Sequence, residues 1–339
     1  VNILHLVPRD TFERKMARER FSWMDAVADQ VRPHGVHTTG PGWKDWHDEL
    51  SARDNVRVYL SERTGEQHRE SLPHLIVAYQ VEGLAGSPVP VCVILQEAYN
   101  RPKTLKLLAD TDPALVIFTY QNEMAQYHAE LEAVGRQVTV IPHSADDTVF
   151  KDYGLPKTID ILIAGNMNAE IYPFRARLAR LAWRELRKRG YSVQWLPHPG
   201  YTLPPKAGLV GEQYARLLNA SRLVITCTSR YKYALAKLAE IPLCRALPVS
   251  DLPAERQVFF SKTMLNVEPW MLDREILTRI EDVLDDEAEW LRRVQLAHDK
   301  IDQRLPMRFW AERFIYWGRR FLGEVDMPAP MPATGEDDA

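Results

Sequence analysis

The sequence predicts an α/β protein of two domains, each a parallel sheet covered by helices. Short, continuously apolar runs alternate with helical stretches, the pattern of strands buried on both faces. The rhythm breaks once, over Pro142–Pro156, where polar and turn residues cluster, and then restarts. The chain has 339 residues, about two domains at roughly 150 residues each.

Val1–Val7 is a short apolar run and reads as a first buried strand. Asp10 or Thr11 caps a helix from Phe12 to about Val31, whose Phe21, Met24, Ala28 and Val31 form one stripe. Pro33–Asp54 reads as loop with a short helix. Val56–Leu60, Leu75–Gln80 and Pro90–Leu95 read as strands, Thr104–Ala109 as helix, Ala114–Thr119 as strand. Met124–Val134 (helix) and Gln137–Ile141 (strand) complete a first domain over residues 1–150. The second, residues 157–305, opens with the strand Ile159–Ala164. Helix Tyr172–Arg189, strand Val193–Leu196, helix Gly211–Asn219 and strand Leu223–Thr226 follow. Helix Tyr233–Glu240, strand Leu247–Ser250 and the helices Glu275–Asp285 and Asp286–Arg304 complete it. Residues 306–323 hold an aromatic-rich amphipathic helix, Arg308–Phe321, and residues 324–339 are a Pro-rich acidic tail with the composition of disorder. No internal repeat is seen.

Apolar residues make up 45% and charged residues 26%, so a packed core is affordable. The net charge of −3 excludes a protein that coats DNA by bulk charge. Charge is divided unevenly. Residues 1–150 hold 15 Lys and Arg against 21 Asp and Glu, whereas residues 151–323 hold 28 against 20. An acidic first domain and a basic second suit an anionic ligand held by the second; the arginines of Arg177–Arg189 equally suit a solvated helix face. Three scattered cysteines with no C-x-x-C pair argue against a disulfide framework or a cysteine zinc site. No signal-peptide core stands out, and no apolar run reaches the roughly 18 residues of a spanning helix. The expectation is a soluble, cytoplasmic protein without a transmembrane segment. Dinucleotide-binding, P-loop, zinc-protease and nucleophile-elbow motifs are absent. Asp110-Thr111-Asp112 has a metal-binding spacing but precedes its strand, and reads as a helix-to-strand turn.

Three segments of the second domain carry candidate chemistry. In Ile159–Arg175 a strand ends at Gly165-Asn166 and a helix starts near Pro173. A glycine loop before a helix N-terminus is an anion site, and Arg175 in the first turn can clamp a phosphate; the alternative is an ordinary turn with a solvated arginine. In Leu196–Tyr201, His198 and Tyr201 follow a strand, placed either to meet a base or sugar or simply in a rigid turn. Thr226–Pro253 brings a strand end with Ser229, a basic loop with Arg230 and Lys232, then a helix carrying Lys237 and ending at Glu240. Lys237 and Glu240 share a helix face. Either they form a surface ion pair, or Glu240, flanked by Ile241, Pro242 and Leu243, accepts from two ribose hydroxyls.

EIPLCRALPVSDLP resembles the E-x-x-A-C-G-A-L-P-V/L signature of group 1 glycosyltransferases, whose GT-B fold pairs two Rossmann-like domains. IPHSADDTVF resembles their interdomain I-P-x-G-x-D-x-x-x-F segment. The AGN…YPFR stretch and Tyr214–Arg222 (YARLLNASR) are similar to the spore-maturation-type and viral or phage members. The likeness spans about residues 138–255; the first domain matches only in strand rhythm. Arg245 stands where the signature has glycine, and Lys232 where the family has the earlier glutamate of its E-x7-E pair.

The resemblance implies a last helix that crosses back to the first domain, and a glycosyltransferase of the hexosyl class. It implies a nucleotide-sugar donor, UDP- or GDP-linked, in the second domain, with no separate cofactor. Glu240 falls on the ribose-binding glutamate; Arg175, Lys232 and Lys237 lie where basic residues hold the diphosphate. Positioned cations and a helix N-terminus would stabilise the leaving group without a metal. A base for the acceptor hydroxyl is expected from the first domain: Asp10, Glu97 or His143, each following a strand, with Glu97 favoured beside Tyr99 and Asn100. Whether the sugar's configuration is retained or inverted stays open. So does the acceptor, a glycan, a protein or a modified base. Two rival readings are glycosylation of hydroxymethylated DNA bases, for which Arg14, Lys15, Arg18 and Arg20 form a local basic stretch, and a non-catalytic nucleotide-sugar-binding protein.

Overall fold

The computed structural model describes residues 1–13, 22–31, 35–63, 72–198 and 209–324. The chain forms two compact units. One holds Val1–Pro142 and the closing helix from Arg308; the other holds His143–Met307.

The first unit is a six-stranded parallel sheet of β1 (Ile3–Leu6), β2 (Val36–Thr39), β3 (Leu75–Ala78), β4 (Val91–Leu95), β5 (Leu115–Phe118) and β6 (Gln137–Val140). Their order is β2-β1-β3-β4-β5-β6, with every pairing parallel. Its helices are α1 (Arg9–Glu13), α2 (Ser22–Gln30), α3 (Ala52–Ser61), α4 (Arg101–Thr111) and α5 (Gln121–Ala133). Central strands are buried on both faces, Leu4, Leu6, Ile76, Val91, Val93, Val116 and Phe118 forming much of the core.

Two elements differ from the sequence expectation. Val56–Leu60 lies inside helix α3 rather than in a strand. The Ser51 hydroxyl caps that helix, accepting from the Asp54 amide at 3.1 Å, and Ala52, Asn55 and Val56 form its buried stripe. Ser51-Ala52-Arg53-Asp54 is a helix-start pattern that outweighs the alternation of Val56-Arg57-Val58. Strand β2 arises within the expected loop. It is a four-residue edge strand, only part-buried, so it carries little apolar signal. The expected helix over Phe12–Val31 falls partly outside the described residues, as does the basic stretch Arg14–Arg20; its described parts are α1 and α2.

The second unit is a five-stranded parallel sheet in the order β11-β10-β9-β7-β8. Its strands are β7 (Ile159–Ala164), β8 (Val193–Leu196), β9 (Ser221–Ile225), β10 (Leu247–Ser250) and β11 (Leu265–Asn266). Its helices are α6 (Pro173–Leu181), α7 (Gly211–Asn219), α8 (Lys237–Leu243), α9 (Gln257–Ser261), α10 (Asp273–Asp285) and α11 (Glu287–Asp302). Helix α6 continues through a π turn, Ala182–Leu186, and a tight turn, Arg187–Arg189. Ile161, Ile163, Leu223 and Ile225 pack toward α6, α10 and α11, while Leu162, Ala164 and Val224 pack toward α7 and α8. This period-two division explains why these strands read as unbroken apolar runs. The chain leaves β7 toward β8 and returns to the other side of β7 as β9, so the strand order reverses between β7 and β9. Ligands of open parallel sheets settle at such a point, off the carboxyl ends of the strands.

The closing helix, α12 (Met307–Phe321), packs on the first unit. The Trp23 ring lies 4.8 Å from Trp310 and 5.7 Å from Phe314, and Gln30 donates to the Arg308 carbonyl at 3.0 Å. The expected disordered tail from Val325 lies outside the described residues.

Candidate nucleotide site on the second sheet

Gly165 follows β7 with φ +106°, a conformation that favours glycine. A Cβ there would stand 2.9 Å from Arg175 Nη1 and 3.1 Å from Lys237 Cε. This bare stretch of backbone therefore lies against two cations from two different helices. Its neighbour Asn166 turns its side chain inward to its own loop, accepting from the Asn168 amide at 2.9 Å.

Arg175 is 2% exposed. One guanidinium nitrogen donates to the Asn166 carbonyl at 3.0 Å and the other to Thr226 Oγ1 at 3.3 Å, with the Tyr172 ring 4.3 Å away. It thus ties the loops after β7 and β9 together at the point where the strand order reverses. Its Nε has no hydrogen-bond partner among the described residues, and no carboxylate pairs with it there. A buried cation left this way favours an anionic partner.

Lys237 opens α8 and donates to the Tyr214 hydroxyl at 2.8 Å, with Glu240 Oε2 3.7 Å away. Burial works against charge on Lys237, but Tyr214 and Glu240 outweigh it and hold its pKa above the ordinary value. Burial in turn raises the Tyr214 pKa. Glu240 lies in the first turn of α8, whereas the sequence places it at a helix end. Ser229 and Lys232 adopt φ +62° and +58°, so turns occupy the chain through Tyr233 and delay the helix to Lys237. Glu240 Oε2 is buried yet accepts no hydrogen bond among the described residues.

His198 follows β8. Burial lowers its pKa first, and the charges of Lys237 and Arg175 lower it further, which sets the imidazole in the same electropositive field. Tyr201 lies outside the described residues. Lys232 is tied to Asp251 at 2.7 Å; that carboxylate, 2% exposed, also accepts from the Thr228 amide at 2.9 Å and its hydroxyl at 2.5 Å. Ser229 Oγ accepts from the Tyr231 amide at 3.2 Å. Arg230 is exposed, but its amide donates to the Ile171 carbonyl at 2.8 Å, joining this loop to the one before α6.

Tyr214, Thr226, Thr228 and Asp251 are not singled out as site residues by the sequence. Thr226 and Asp251 sit directly after β9 and β10 and Thr228 two residues further on, and position after a strand is the signal that finds them. Arg245 has φ +55°, the conformation glycine takes without strain, and its side chain bonds Gln295 at 2.7 Å, on α11, not in the loops of the site. Asn219 of the YARLLNASR segment is structural. It donates to the Cys244 carbonyl at 3.0 Å and to Asp152 at 3.1 Å.

The three candidate bases lie on three different segments. Asp10 is exposed on α1 after β1, and Glu97 is exposed after β4, with β3 between those strands. His143 opens the second unit and is part-buried. Asp112 caps α4 ahead of β5 and pairs with Arg136. Among the described residues no group of three or more His, Cys, Asp or Glu is placed to hold a metal, and no helix is long and apolar enough to cross a membrane. The three cysteines are free and buried.

Solved structures resemble the chain across both units. Sucrose-phosphate synthase from Thermosynechococcus elongatus matches at TM-score 0.61 and 13% identity, over 96% of this chain and 100% of that one. The chain has the GT-B fold. Anabaena HepE, in complex with UDP and glucose, matches at TM-score 0.60 and 13% identity, over 96% of this chain and 100% of that one. A proposed UDP-N-acetylglucosamine 2-epimerase from Listeria monocytogenes matches at 0.52 and 11%, over 98% and 99%. No family model and no curated protein sequence matches the chain.

Proposed function

We propose that this GT-B protein is a glycosyltransferase that uses a nucleoside-diphosphate sugar, UDP- or GDP-linked. Its diphosphate would lie over Gly165 and its ribose at Glu240. One observation carries the reading. The buried Arg175 guanidinium, unpaired with any carboxylate among the described residues, lies under a glycine backbone beside Lys237. Lys237 and Glu240 balance one another, and Asp251 neutralises Lys232. Arg175 is left as a buried positive charge with no carboxylate among the described residues, suited to a diphosphate.

In the transfer, the bond from the anomeric carbon to the phosphate oxygen breaks and its electron pair stays on the diphosphate. Arg175 and Lys237 are fixed beforehand where that charge grows, so they stabilise it with little rearrangement. Glu240 accepts from the ribose hydroxyls and sets the register of the donor. His198, whose pKa is lowered by burial and then by the charges of Lys237 and Arg175, can donate an N–H to the phosphate or the sugar. We take these charges as sufficient without a metal. The acceptor's proton is assigned to a base of the Asp10, Glu97 and His143 set, Glu97 first. The acceptor is a glycan, a protein or a hydroxymethylated base. The fold itself hosts more than one reaction, so the reaction must be tested at the site.

The test is a thermal-shift panel of UDP-, GDP-, ADP- and TDP-sugars. The stabilising donor is then incubated with protein and followed for free nucleoside diphosphate. Binding with slow release of diphosphate supports the reading. No nucleotide binding at millimolar concentration removes it. Donor isomerised without loss of its nucleotide marks an isomerase, and tight binding with no turnover under any acceptor marks a binder.

A further inference from the structure

We propose that the outer face of helix α6 and its continuation, with edge strand β8, is a docking surface for a bilayer that carries anionic headgroups. Apart from the buried Arg175, the arginines of this helix divide into two groups. Arg177 bonds Asp273 at 2.8 Å and Arg189 bonds Glu281 at 2.7 Å, both facing α10. Arg180 and Arg184 have no hydrogen bond or ion pair among the described residues, and Arg187 stacks over Trp183 with its guanidinium 4.6 Å from the ring centre. Arg180, Trp183, Arg184 and Arg187 recur every three to four residues and are all exposed, while Leu178, Ala179, Ala182 and Leu186 form the buried stripe opposite.

Trp183 does not stand alone. It meets Trp195 of β8 edge to face, 6.0 Å between ring centres, and the two are 38% and 39% exposed. Two indoles left in water side by side, rimmed by cations, mark an interaction surface rather than scattered exposure. Indole rings settle at the level of lipid headgroups, and arginine beside them reaches the phosphates. The face belongs to the basic part of the chain, and the one acidic side chain of this turn, Glu185, is 3.9 Å from Lys188. The patch is the outer side of a helix next to an edge strand, a shape that meets a flat layer more readily than a groove-bound strand of nucleic acid. Arg175 lies on the opposite, buried side of the same helix, so the surface and the nucleotide site are separate.

The test uses the full chain and sedimentation with vesicles of phosphatidylcholine alone or with about 30% phosphatidylglycerol, at low salt and at about 0.5 M salt. Binding is expected only to the anionic vesicles and should weaken with salt. Each cation near an anionic surface is worth about fivefold in partitioning, so Arg180→Ser with Arg184→Ser should lower it by roughly 25-fold. Melting temperature and UDP affinity should stay unchanged in that variant. Trp183→Ser with Trp195→Ser should also weaken binding, with folding checked separately by its melting curve. Absence of wild-type binding to anionic vesicles overturns the proposal, as does binding unaltered in the arginine variant. Tighter binding to a DNA oligonucleotide than to vesicles, lost in the same variant, also overturns it and assigns the face to nucleic acid.

Discussion

Glu240→Gln separates a ligand-binding carboxylate from a structural one. In the protein without ligand, Glu240 Oε2 accepts no hydrogen bond among the described residues, and its nearest cation, Lys237 Nζ, is 3.7 Å away, beyond hydrogen-bond reach. The side chains of the pair are 23% and 18% exposed. Losing that attraction should cost about 1 kcal/mol or less, a shift of roughly 2–4 °C for a unit of this size. Bound ribose is different. Its two hydroxyls would donate to a carboxylate, and bonds to a charged acceptor are worth about 1.5–3 kcal/mol. The substitution also turns one acceptor into a donor. Affinity for the nucleotide should therefore fall about 10- to 150-fold, at about 1.4 kcal/mol per decade. Calorimetry with UDP, GDP and their 2′,3′-dideoxy analogues reads the effect. Wild type should lose affinity when the ribose hydroxyls are removed, and the variant should not lose it again. A variant that binds UDP and GDP within twofold of wild type, or that loses as much affinity for the dideoxy analogue, would refute a ribose contact at Glu240.

Three further outcomes are expected. Gly165→Ala forces a side chain into φ +106° and 2.9 Å from Arg175, so it should cost about 1–3 kcal/mol in denaturant unfolding and weaken nucleotide binding as well. Trp23→Ala empties the contact beneath Trp310 and Phe314 and should cost about 3–5 kcal/mol; a chain ending at Leu305 should lose comparable stability in the first unit, and unchanged melting of both would contradict the packing of α12. The His198 pKa is depressed by burial, Lys237 and Arg175, so its contribution to stability is lost as pH falls from the free value of about 6.5 through the folded one. A diphosphate that cancels the two cations should raise that pKa. Nucleotide binding near pH 6 should then take up a fraction of a proton, detected by calorimetry in buffers of different ionisation enthalpy, and His198→Gln should abolish the uptake.

How far the site was legible in sequence varied residue by residue, for physical reasons. Gly165 is legible because a glycine after a buried parallel strand is a local pattern; Lys237 reads as a residue within a helix over Tyr233–Glu240, whereas the helix starts at Lys237. Arg175 reads as an arginine in a first helical turn, and tertiary packing decides which way it points. Its neighbours Phe174 and Leu178 carry the buried stripe, and Arg175 lies inside that stripe, braced on Thr226 from fifty-one residues away. Only the pairing of β7 with β9 brings those two together. Lys232 likewise reads as a free cation until the end of β10 delivers Asp251 beside it. The difference at Val56–Leu60 is of another kind: the helix-start signal at Ser51 is local and present, and it outweighs the alternating apolar pattern that reads as a strand.

The proposed nucleotide site would also link stability to ligand through the buried Arg175. Its guanidinium holds the loops after β7 and β9 through a carbonyl and a hydroxyl, both neutral acceptors. Neutral acceptors offset only part of the cost of taking a cation out of water. The second unit therefore keeps an unbalanced charge at the point where its strand order reverses, and the proposed diphosphate would supply the balance. Replacing Arg175 with Met should relieve that charge and yet free the two loops. Stability without ligand would then change little, while the stabilisation added by nucleotide should largely disappear. Melting curves of wild type and Arg175→Met, each with and without saturating UDP, measure the two effects separately. An Arg175→Met protein that gained as much from nucleotide as wild type would show that the guanidinium is only a brace.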